Sequence, residues 1–89
     1  MYQKNVTIQN ETGLHARPAS DFVKRAAKYT SKITIQRADE AEKYNAKSII
    51  MLLSLGLSKG EQAKISAEGE DEQAAVDDLV NLVANELKD

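Results

Sequence analysis

The 89-residue sequence contains no cysteine, so neither a disulfide nor a thiolate metal ligand is available to it. With only one histidine as well, no metal site and no cofactor are expected. Long apolar runs are also missing. The longest, residues 49–53, falls far short of the roughly 18 apolar residues that a membrane span requires. Met1-Tyr2-Gln3-Lys4-Asn5 forms no apolar targeting core, and with no disulfides this reads as a cytoplasmic chain without membrane insertion. A basic excess is absent too: 12 basic against 14 acidic residues leave a net charge of −2. Nucleic-acid binding leans on a basic stripe, whereas here acids gather at Glu68, Glu70, Asp71, Glu72, Asp77 and Asp78. Nucleic acid is therefore not an expected partner.

What is present fits one domain, 1–89, which buries roughly 60–65% of the surface its unfolded chain exposes. A deep cleft between two domains has no room in such a chain. Any chemistry belongs on the surface, shared with a partner.

Hydropathy alternates over residues 6–9 as in a half-buried strand, and Asn10, Glu11, Thr12 and Gly13 then break the pattern. From His15 the period changes. Ala19, Phe22, Val23, Ala26 and Ala27 recur at three and four, predicting a helix over about 16–28 with Pro18 in its first turn. Residues 32–36 alternate as a second strand. The polar run 37–43 reads as a hairpin loop, placed far from His15, that leads to a short strand near Tyr44. Asn45 or Ser48 caps a short helix over 49–55, which Gly56 ends. Ala63, Ile65 and Ala67 alternate as a fourth strand that Gly69 terminates. Asp71 opens the clearest helix, whose apolar face is Ala75, Val76, Leu79, Leu82, Val83 and Leu87. The expected fold is α+β, in the order βαββαβα, a four-stranded antiparallel sheet covered on one face by three helices.

The segment Gly13-Leu14-His15-Ala16-Arg17-Pro18-Ala19-Ser20 places the sole histidine where a strand has ended and a helix starts. The first N–H groups of a helix lack internal partners and carry partial positive charge, so such a start holds anions. Arg17 adds a guanidinium suited to phosphate. The positive end also favours a neutral, nucleophilic ring nitrogen on His15 at pH 7. Gly13 takes the backbone angles that expose the ring, and Pro18 stiffens the helix beneath it. The same residues also fit a plain helix start with a solvated histidine and arginine.

The run at positions 13–20 closely resembles the active-site signature of the histidine-containing phosphocarriers (HPr) of the bacterial sugar phosphotransferase system. Asn45-Ala46-Lys47-Ser48-Ile49-Ile50 and Leu53-Ser54-Leu55-Gly56 resemble that family's second signature, around a regulatory serine. The likeness extends over essentially the whole chain and implies an open-faced β-sandwich. It also implies a phosphocarrier that is itself no enzyme. By that likeness His15 accepts a phosphoryl group on Nδ1 from the phosphorylated first enzyme, charged from phosphoenolpyruvate. Arg17 then steadies the group on its way to sugar-specific acceptor proteins. The N–H groups of Ala16 and Arg17 complete the phosphate site, with hydroxyls from Thr12 and Ser20. Ser48 matches the serine modified by a kinase/phosphorylase in many relatives, which then signals through a catabolite-control transcription factor; it also reads as an ordinary N-cap. Ile49, Ile50 and Leu53 read as core of an amphipathic helix, yet they match family positions at a docking surface to which Lys24 and Arg25 add charge. Most relatives act as monomers. Two departures stand out: Met51 where many relatives carry glycine, and a 37–43 segment about two residues longer than the common pattern.

Besides a purely structural interaction module, in which replacing His15 leaves function intact, three other readings compete. One is a regulatory relative acting through phosphorylated Ser48, and another is a carrier of a nitrogen-related phosphorelay. The third is a stand-alone enzyme with His15 as general base. It needs an orienting group, and Glu11, the nearest acid, has no evident pairing in the sequence.

Overall fold

A computed structural model describes residues 1–87 of the chain. The elements run β1 (Tyr2–Thr7), α1 (Ala16–Ala26), β2 (Lys32–Arg37), β3 (Tyr44–Asn45), α2 (Ile49–Leu55), β4 (Gln62–Glu68) and α3 (Glu72–Asn81). A π-helical turn, Leu82–Glu86, continues α3. The strands form one sheet in the order β1-β4-β2-β3, with every neighbouring pair antiparallel. Together these elements make the open-faced sandwich expected from the sequence.

Strand β4 shows why one face carries the helices. Successive side chains of a strand alternate faces, and Ala63, Ile65 and Ala67 all point into the core. In register, Ile65 lies between Lys4 of β1 and Ile35 of β2, and Ala67 pairs with Ile33. Phe22 of α1 and Val76 and Leu79 of α3 are fully buried in the same core as these strand residues. Burying one such large side chain contributes about 1.5–3 kcal/mol. Ala27, expected on the apolar face of α1, is exposed because the helix ends at Ala26.

The strand placed at residues 6–9 begins earlier, at Tyr2, and ends at Thr7. Its first half is polar on both faces, which hides the alternation. Gln3 bonds Ser66 across the outer face, while Lys4 and Tyr2 reach over to Asp77 of α3. Ile8 keeps a strand-like pairing beyond the element, donating to Glu61 and accepting from Gly60 at 2.9 Å each.

Of the two residues offered as cap for α2, Ser48 takes the role. Its hydroxyl accepts from the Met51 N–H at 3.3 Å. Asn45 instead folds back on Lys47 N–H. Gly56 closes the helix in the left-handed conformation, φ 62° and ψ 42°. Asp71 precedes α3 without capping it. Its carboxylate crosses to the turn before β2, accepting the N–H groups of Thr30 (2.8 Å) and Ser31 (3.0 Å) and both hydroxyls. The Ser31 hydroxyl above all, then the Thr30 N–H, hold this carboxyl down to about 2.

Candidate functional site

The turn before α1 is locked from within. Gly13 donates to Asn10 O at 3.1 Å, and the Asn10 amide returns a bond to Gly13 O at 2.7 Å. Leu14, fully buried, donates to Leu57 O at 2.9 Å. Gly13 has φ +70°, and a Cβ there would lie 2.2 Å from Leu57 O, so only glycine fits. The next residue, His15, emerges half-exposed from this rigid base.

His15 occupies the position preceding α1 with extended backbone (φ −128°, ψ 163°), and its carbonyl accepts from Ala19 N–H at 3.4 Å. Its ring caps nothing, and no acid stands in the first turn. Ala16 then adopts φ 49°, the only non-glycine residue with positive φ among those described. That conformation costs an L-residue about 1–2 kcal/mol and turns the peptide away from the usual helical path. Pro18 has no N–H, so the first turn presents the two N–H donors of Ala16 and Arg17, which have no partner among the described residues. The Arg17 side chain is exposed and makes no ion pair among the described residues. A ring nitrogen, two backbone N–H groups and a guanidinium thus stand at one helix start whose first turn holds no acid. Such a set can hold a phosphoryl group.

The other residues singled out in the sequence fall around this centre unevenly. Ser20 is half-buried one turn further along α1; Thr12 is exposed on the turn and accepts from the Asn10 amide at 3.4 Å. Helix α2 ends beside the histidine: a Cβ on Gly56 would lie 3.9 Å from His15 Cε1. Leu52 and Leu55 anchor α2 in the core, whereas Ile49, Ile50, Met51 and Leu53 are 38%, 75%, 38% and 43% exposed. The core reading of Ile49, Ile50 and Leu53 is thereby corrected, because a seven-residue helix on the rim of the fold has only one face to bury. Lys24 is exposed, but Arg25 is committed elsewhere, paired with Asp78 (2.7 Å) and Glu86 (3.2 Å). Glu11 has a partner after all, Lys59 at 2.6 Å, contributed from 48 residues away.

Two features of the site carry no sequence signal. Alanine at position 16 gives no hint of a left-handed backbone. Likewise, Arg37 sits at the base of the polar run placed far from His15, yet its guanidinium reaches Gly56 O at 3.1 Å. The distant placement therefore holds at most for the tip of the loop. Among the described residues no helix is long and apolar enough to cross a membrane.

The chain is similar to known proteins over most of its length. The family model described as PTS HPr component phosphorylation site matches residues 2–85. The phosphocarrier protein HPr of Haemophilus influenzae is 46% identical over 83 residues, covering 93% of this chain and 95% of that one. A multiphosphoryl transfer protein of the same organism is 44% identical over 82 residues, and the chain spans only 16% of its length. The solved structure of an HPr from Thermoanaerobacter tengcongensis superposes with a TM-score of 0.87 at 47% identity, covering 93% of this chain and 91% of that one. Crh, a catabolite repression protein of Bacillus subtilis, superposes with a TM-score of 0.74 at 41% identity and 98% coverage of both chains. That structure is a dimer with a swapping domain, so relatives of this chain are not uniformly monomeric.

Proposed function

The chain belongs to the HPr phosphocarrier family of the phosphotransferase system, and on that premise we propose that His15 carries the phosphoryl group. The observation that supports this most is the start of α1: a half-exposed His15 followed by two N–H donors and an Arg17 that have no partner among the described residues. The Nδ1 lone pair of a neutral His15 ring attacks the phosphorus carried by the phosphorylated first enzyme. The bond from phosphorus to the donor breaks as the new N–P bond forms, and the donor leaves with the electron pair. The N–H groups of Ala16 and Arg17 and the Arg17 guanidinium take the phosphoryl oxygens, with Thr12 and Ser20 at the margin. Transfer to a sugar-specific acceptor runs the same exchange in the other direction. Ile49, Ile50 and Leu53, with Lys24, supply the docking surface, since exposed apolar clusters mark interfaces. Residues 1–89 act as one carrier domain in the cytoplasm.

The test is to incubate the protein with phosphoenolpyruvate and a catalytic amount of first enzyme, then weigh the intact product. The expected gain is one phosphoryl mass, about 80 Da, lost in acid and absent from His15→Ala. No acid-labile gain would overturn the carrier reading.

A second role at Ser48 draws support from the 41% identity to Crh. The Ser48 hydroxyl sits at the start of α2, where a phosphate would face helix N–H groups and be tolerated. In this reading a serine kinase adds phosphate to Ser48 from ATP, and the modified α2 then meets a catabolite-control transcription factor.

A further inference from the structure

The His15 turn rests on a three-residue shelf, residues 56–58. Leu14 donates to Leu57 O at 2.9 Å, Gly13 lies flat against the same carbonyl, and the His15 ring edge lies over Gly56. Two side chains from other parts of the fold grip this shelf at both ends. Arg37, the last residue of β2, donates from Nη2 to Gly56 O at 3.1 Å and from Nε to Glu61 Oε1 at 2.8 Å. Glu61 in turn accepts the Ser58 N–H on Oε2 at 2.7 Å.

Stability alone does not account for the arrangement. The Arg37 and Glu61 side chains are 24% and 35% exposed, and ion pairs in that setting contribute little to folding. The pair does fix two backbone groups, the Gly56 carbonyl and the Ser58 N–H, in the segment that carries the histidine turn. It also places positive charge on a carbonyl at the end of α2. The last carbonyls of a helix carry partial negative charge, and here they lie beside the ring that would carry the negatively charged phosphoryl group. Glu61 stays ionised to do this, because the Arg37 guanidinium first, then the Ser58 N–H, hold its carboxyl below the usual range.

We propose that Arg37, oriented by Glu61, is a positioning residue for phosphoryl transfer at His15. It holds shelf 56–58 under the ring and screens the negative end of α2 from the phosphoryl group. Arg37 makes and breaks no covalent bond, and the inference rests on the carrier reading above.

The experiment measures transfer from phosphorylated first enzyme by rapid quench, together with the His15 Hε1 resonance and the melting temperature. In Arg37→Met the saturated transfer rate should fall about tenfold with the half-saturating donor concentration unchanged, as expected when a reacting group is misplaced while docking stays intact. The Hε1 resonance should move. Arg37→Lys, which can still donate to one acceptor, should recover most of the rate. The double variant R37E/E61R restores opposite charges but not the rate, because a carboxylate at position 37 has no hydrogen to give Gly56 O. A wild-type rate in Arg37→Met, an unmoved Hε1 resonance, or full recovery in R37E/E61R would each overturn the proposal. If the wild-type protein accepts no phosphate, the carrier reading fails separately, and the Hε1 resonance alone decides whether Arg37 positions the ring. If Arg37→Met does not fold, the rate and resonance of Arg37→Lys against R37E/E61R make the same decision.

Discussion

The start of α3 carries two acids, Asp71 and Glu72, whereas the first turn of α1 carries none. At α3 both acids are fully engaged. Glu72 accepts the Gly69 N–H at 3.1 Å and pairs with the N-terminal ammonium at 3.3 Å, while Asp71 ties the helix to Thr30 and Ser31. At α1 the preceding residue is a histidine whose ring caps nothing, Ala16 holds a left-handed angle, and Arg17 has no carboxylate partner among the described residues. Both helix starts attract anions for the same electrostatic reason. One has been given its anions by the chain and is a joint of the fold. The other has no acid in its first turn, and it is the end that carries the only histidine of the sequence.

Gly13→Ala breaks the comparison at its most sensitive point. The added Cβ would meet Leu57 O at 2.2 Å in a backbone conformation of φ +70° that alanine resists. Relief requires moving either the turn or shelf 56–58. A loss of about 3 kcal/mol in denaturant unfolding is expected, with acceptance of phosphate by the surviving folded protein strongly reduced. If instead stability drops and acceptance does not, the rigid turn serves the fold rather than the site.

The α3 end is tested through pH. The Asp71 carboxyl is held from its ordinary value near 3.8 down to about 2, so its folded form prefers the charged state. A depressed carboxyl stabilises the fold above its unfolded value and loses that contribution as pH falls through the folded one. The stability gap between the wild-type protein and Asp71→Asn should therefore be constant above about pH 4 and close between about pH 4 and pH 2. His15 phosphorylation at neutral pH should be the same in both. A gap that persists unchanged at pH 2 would mean that the amide and hydroxyl geometry, and not the charge, secures this end.

Much of this was readable in the sequence where the determinants are local. Ser48 and Gly56 bracket α2 because a hydroxyl acceptor and a left-handed residue are local requirements of helix ends. The alternation in β4 and the apolar face of α3 follow from the side-chain periods of strand and helix. The helix start at His15, Arg17 and Pro18 was legible for the same reason, since helix starts are defined within one turn. What could not be read depends on pairings across the chain. Lys4 belongs to β1 because β4 pairs with it through register, and neither residue's neighbours announce that. Glu11 finds Lys59, Arg25 finds Asp78 and Glu86, and Arg37 finds Glu61, each more than 20 residues away. The exposure of Ile49, Ile50 and Leu53 could be expected from the family resemblance alone and not from the helical period, because an apolar helix face reads the same whether another part of the chain covers it or a partner does.

The smallest expected effect is the most pointed, at Ala16. Its φ of 49° costs an alanine about 1–2 kcal/mol, a strain that glycine would not feel. Glycine brings its own cost, about 0.5–1 kcal/mol of extra freedom in the unfolded chain. Ala16→Gly should therefore raise stability slightly, by about 0.5 kcal/mol, read as a higher denaturant midpoint. Yet Ala16 contributes one of the two N–H donors beside the His15 ring, and a stiffer residue aims that donor more sharply than glycine does. Acceptance of phosphate should slow a few-fold while stability rises. Strain that relaxes with loss of rate belongs to the site, as residues held in sparse regions of backbone space often do. If Ala16→Gly lowers stability, position 16 stores no strain, and the two helix starts differ only in their charges.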